Sequence, residues 1–105
     1  MKYVITIDTK DCTKDEILSY VRNNGNEFVY EFMPGEGDII GEFKSKSKAI
    51  KAFDSIIKER KSIVNNNGIY TFYQYTLFPF YKKNNIEICA SPLKLFTPSI
   101  EDVSI

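Results

Sequence analysis

Three carboxylates, Asp8, Asp11 and Asp15, follow the first apolar run at steps of three and four. Carboxylates grouped in this way can hold a divalent ion or pass a proton. The chain has no histidine, which removes the commonest neutral-pH acid/base and metal ligand. No serine stands in a nucleophile-elbow context, no glycine-rich phosphate loop is present, and Cys12 has no imidazole to activate it. Asp8 also suits a turn at the end of a strand, and Asp15 suits the positive end of a helix. The expectation is therefore a chain with no catalytic residue, no metal and no cofactor.

Two other groups of residues could bind. Lys44, Lys46, Lys48, Lys51, Lys58, Arg60 and Lys61 form a basic stripe that could contact phosphates or an acidic partner. Asp54 and Glu59 interrupt it at salt-bridging spacing, as on a solvated helix face. The stretch Gly68 to Tyr81 holds seven of the fifteen aromatics in fourteen residues. Tyr70, Phe72, Tyr73, Tyr75 and Phe78 are its candidate partner-binding residues, because such rings give large contact area with few rotors to freeze.

Bulk of this kind fits a pleated strand better than a helix turn, so the run reads as a strand with two apolar faces. Ile69, Thr71, Tyr73, Tyr75 and Leu77 face one way. Tyr70, Phe72, Gln74, Thr76 and Phe78 face the other. Elsewhere, Lys2 to Asp8 alternates as a strand. Thr13-Lys14-Asp15-Glu16 forms a capping box opening a helix over 14–23, with Ile17, Leu18 and Val21 inward and Gly25 as its stop. Glu27 to Met33 and Ile39 to Phe43 read as a hairpin around Pro34-Gly35-Glu36-Gly37-Asp38. Helical spacing runs from Ala49 through Ile50, Ala52, Phe53, Ile56 and Ile57 to Ile63 and Val64. Ser45 or Ser47 caps this helix, and Asn65-Asn66-Asn67-Gly68 stops it. Phe53 and Ile57 are its expected buried anchors. After the aromatic strand, Lys82 to Asn85 makes a turn and Ile86 to Ala90 a short last strand. Pro92 and Pro98 break regular structure, leaving residues after Phe96 as a loosely held tail.

This order gives an α+β fold of ferredoxin-like, split β-α-β type (β-α-β-β-α-β) with an extra C-terminal strand. Its antiparallel sheet carries two helices on one face, and the aromatic strand lies beside the N-terminal one. Ile39 to Ile57 resembles the third strand and second helix of an RNA-recognition module. That resemblance implies bases stacked on sheet aromatics, but Asp38 and Ile40 stand where the stacking rings belong. An aspartate ending the first strand of such a fold is similar to a family of small dimeric CRISPR-associated nucleases, which implies carboxylate- and metal-dependent cleavage.

At 105 residues the chain makes one domain, residues 1–105. Its formal charge is zero, but the first 43 residues carry nine acids against four bases, and residues 44–61 seven bases against two acids. Two cysteines 77 positions apart make a poor disulfide framework, so a reduced, cytoplasmic protein is expected, with both as apolar fillers. The start reaches acid after a short apolar run, and no window suits a membrane span, so no membrane association is expected. The leading expectation is a non-catalytic protein-interaction module, binding a protein partner or a second copy through its aromatic sheet face. A small accessory or inhibitory protein of a phage or mobile element fits that description. The alternatives are single-stranded nucleic-acid binding, and a small carboxylate-dependent nuclease.

Overall fold

In the computed structural model, residues 1–24, 37–59 and 63–96 are described. Their element order is β1 (Lys2–Thr13), α1 (Lys14–Asn24), β2 (Asp38–Phe43), α2 (Lys46–Glu59), β3 (Ile63–Asn66), β4 (Ile69–Lys83), β5 (Ile86–Cys89) and β6 (Lys94–Phe96). The result is a mixed α+β fold with a curled antiparallel sheet and two helices. It is richer in strands than the split β-α-β arrangement, whose order it does not reproduce. The strand expected at 27–33, the stop at Gly25 and the tail beyond Phe96 lie outside the described residues.

β4 organises the sheet. Its inner edge pairs with β1 from Ile69 to Phe80, the adjacency expected from the sequence. Its outer edge is shared by β3 along Ile69–Phe72, β6 along Tyr75–Leu77 and β5 along Phe80–Lys83. Pro79, which has no N–H to give the ladder, sits where that edge passes from β6 to β5, and its carbonyl accepts from the amide of Ala90 at 3.0 Å. β1 pairs on its other side with β2, with a bulge between Ile5 and Thr6.

Four expectations about where elements begin and end are corrected. β1 does not stop at Asp8 but runs to Thr13, because β4 supplies a pairing partner for every residue. Ile63 and Val64 belong to β3 and not to the second helix, which ends at Glu59. Asn67 (φ 54°) and Gly68 (φ 88°) are both left-handed and join Asn66 to Ile69 as a tight hairpin, not as a helix stop. The segment between Pro92 and Pro98 is not structureless, since it contains β6.

The caps follow the sequence. Thr13 N and Oγ1 both donate to Glu16 Oε1, at 3.4 and 3.1 Å, and the Glu16 amide donates to Thr13 Oγ1 at 3.3 Å. Ser45 caps α2, accepting the Lys48 amide at its side chain and the Ala49 amide at its carbonyl. Ile17 of α1 is buried, whereas Leu18 is exposed. No helix among the described residues is long and apolar enough to cross a membrane.

α2 packs on one face of the sheet. Ala49 and Phe53 meet Tyr3 and Ile5 of β1 and Tyr75 and Leu77 of β4. Ile57, expected to bury fully, is half-buried at the margin of this cluster. β6 closes the same side: Phe96 lies against Tyr75 at 6.2 Å between ring centroids, and Lys94 bonds Asp54 of α2 at 2.6 Å.

Candidate functional site

The middle of β4 is interior on both faces. Tyr75 and Leu77 are buried beneath α2, with Tyr73 half-buried beside them. On the opposite face Tyr70, Phe72, Gln74, Thr76 and Phe78 are all buried as well. Of the five rings expected at a partner surface, four are therefore core and Tyr73 is half-covered. The expectation of an aromatic sheet face open to a partner is corrected: the single chain already covers both faces.

The carboxylates do not gather. Asp8 is buried on the face away from α2, and Asp11, three positions on, points to the other side of β1 and accepts from Thr71 Oγ1 at 2.6 Å. Asp15 is exposed in the first turn of α1, where it complements the helix dipole. Among the described residues no three of His, Cys, Asp or Glu lie close enough to hold a metal ion. Cys12 is a buried filler as expected, but Cys89 is exposed, and desolvation raises its thiol pKa.

Lys46, Lys48, Lys51 and Lys58 are exposed on α2, and Lys44 is exposed just before it. Asp54 pairs with Lys94 and not with its helical neighbours. Arg60 and Lys61 lie outside the described residues.

Rings do reach the surface at one end of the sheet. There a cleft of about 930 Å³ is lined by Met1 and Lys2 at the start of β1, Glu42, Phe43 and Lys44 at the end of β2, and Phe80, Tyr81, Lys82 and Glu87 on the β4–β5 hairpin. Strand ends build it because β1 begins where β2 and β4 finish. Lys2 pairs with Phe80 in register, and its ammonium stands 5.4 Å from the ring centroid and 3.2 Å from Glu87. Phe43 and Phe80 are half-buried, and Tyr81 is 38% exposed.

Beside the cleft the hairpin turns sharply at Asn84 (φ 53°) and Asn85 (φ 64°), two left-handed residues between the paired Lys83 and Ile86. Alternation sends Tyr81, Ile86 and Ile88 to one side of this hairpin, and Ile86 is 64% exposed. Sequence reasoning placed the rings of interest at mid-strand and missed this end. The available signal was Lys82-Lys83-Asn84-Asn85 directly after Phe80 and Tyr81: a strand running past its cover leaves its last rings half-clothed.

Compared with protein-family models, with curated proteins and with solved structures, the chain matches none of them.

Proposed function

We propose that this chain is a non-catalytic protein-interaction module that pairs with a second copy of itself through the cleft at the end of its sheet. One observation carries the reading. A cleft lined by Phe43, Phe80 and Tyr81 sits next to a hairpin tip that exposes Ile86. Two copies related by a two-fold axis can each lay the hairpin tip into the other's cleft, so that one patch serves both roles. The rim supports this occupant. Lys2, Lys44 and Lys82 line it together with Glu42 and Glu87, a mixed-sign border that can complement a second copy of itself under two-fold symmetry. A phosphate backbone would meet both signs there, which favours protein over nucleic acid. Such a module suits a small accessory protein, which acts by occupying a partner and not by turnover.

Sedimentation velocity over a concentration series tests the reading. The expected result is a weight-average mass rising from the 12.1 kDa monomer towards twice that value. Ile86→Asp, an exposed position whose change leaves the core intact, should restore the monomer with an unaltered circular dichroism spectrum. A monomer at every concentration, or an Ile86→Asp variant that still dimerises, would overturn it.

A further inference from the structure

A polar cluster lies inside the molecule, on the face of the sheet opposite α2. Register sets Thr6 against Thr76 and Asp8 against Gln74. Alternation along both strands then puts all four side chains on that one face, as two adjoining cross-strand pairs. Each is more than nine-tenths buried: Thr6 is 4% exposed, Asp8 7%, Gln74 4% and Thr76 0%. Val4 and Phe78, paired with each other and both buried, close one end of the cluster, and Phe72 borders the other.

Among the described residues, the hydroxyl oxygens of Thr6 and Thr76 and the amide oxygen of Gln74 have no hydrogen-bond partner. Buried polar atoms rarely stand so, and three in one patch call for a ligand that satisfies them together. The chemistry of the patch narrows the choice. Two hydroxyls, an amide carbonyl and the carboxylate of Asp8 are all hard oxygen donors, and the carboxylate disfavours an anion. No nitrogen or sulfur donor belongs to the four, which disfavours zinc and copper.

We propose that Thr6, Asp8, Gln74 and Thr76 bind a hard cation of calcium size through their side-chain oxygens. Size follows from the sheet. Side chains about 5 Å apart across strands and about 7 Å apart along them offer an ion widely and irregularly spaced oxygens. Calcium accepts such irregular oxygen shells, whereas magnesium demands a small, near-regular octahedron and keeps its waters. One carboxylate among neutral donors makes a weak site, filled at millimolar calcium and not at micromolar.

The test is thermal unfolding of the full chain in calcium, in magnesium and in potassium at matched ionic strength. Calcium should raise the melting midpoint saturably, because an ion that binds only the folded chain stabilises it by mass action. Magnesium and potassium should raise it less. Thr76→Val keeps the side-chain shape and removes one donor, so the calcium-dependent rise should shrink or vanish. Isothermal titration of the unmodified chain with calcium reads the same binding should that variant not fold. A midpoint indifferent to calcium, with no heat on titration, would overturn the proposal. So would a Thr76→Val variant with an undiminished calcium response.

Discussion

Lys2 Nζ stands 5.4 Å from the centre of the Phe80 ring and 3.2 Å from both carboxylate oxygens of Glu87. Those contacts hold the start of β1 against the β4–β5 hairpin and shape one wall of the cleft. Both charged groups are more than a third exposed, so water screens the pair. Lys2→Ala should therefore cost about 1 kcal/mol or less in urea unfolding. A markedly larger loss would mean that Lys2 supports the core and not only the rim.

Phe53 and Ile57 were expected to bury alike, and they do not. Phe53 is 4% exposed within the core, while Ile57 is half-buried against it. Phe53→Ala should cost roughly 3–5 kcal/mol and Ile57→Ala less, below the roughly 2–5 kcal/mol of a fully buried isoleucine. For a domain whose whole stability is about 5–15 kcal/mol, the first loss approaches unfolding. Denaturant midpoints of both variants check the ranking, and equal losses would contradict the packing of α2.

Gly37 has no room for a side chain. A Cβ there would collide with the carbonyl oxygen of Ile7 and with Oδ1 of Asp8. Gly37→Ala should lower stability by about 1–3 kcal/mol, the usual cost of forced overpacking. Gly68 differs, since the space around it is open and only its left-handed φ of 88° resists substitution. Gly68→Ala should therefore cost about 1 kcal/mol, as strain. Chemical unfolding of the two variants distinguishes the two causes.

The thiols should react in sequence. Cys12 is 2% exposed and should be silent to an alkylating reagent until the chain unfolds. Cys89 is exposed, but desolvation lifts its pKa above the ordinary 9.0, so little reactive thiolate forms at neutral pH. Its labelling should be slower than that of an unfolded thiol at pH 8 and should climb as the pH passes 9. Fast labelling of Cys12 in the folded chain would contradict the packing of β1 and β4.

Much of this fold was legible because local chemistry and final structure agree. Aromatic and β-branched residues from Ile69 onward specified β4, and the capping box Thr13 to Glu16 specified the start of α1. Other features rest on partners far along the chain. Thr9, Lys10 and Asp11 carry no apolar alternation, yet they are strand because Tyr73, Phe72 and Thr71 pair with them. β6 is three residues between prolines, held by Tyr75–Leu77 and by the Lys94 bond to Asp54. Asn67-Gly68 was a readable hairpin signal, hidden because the helical spacing of α2 happens to continue into Ile63 and Val64. The candidate site was misjudged for a related reason. Periodicity tells which rings share a face, but not which face the rest of the chain covers.

An equal mixture of isotopically labelled and unlabelled chains, examined for nuclear Overhauser contacts that cross between copies, tests self-pairing through the cleft most directly. The predicted contacts join the Ile86 methyl groups of one copy to the rings of Phe43, Phe80 and Tyr81 of the other. Contacts absent at concentrations where the sample sediments as a dimer would contradict it. So would contacts confined to another surface, such as the exposed Leu95 of β6.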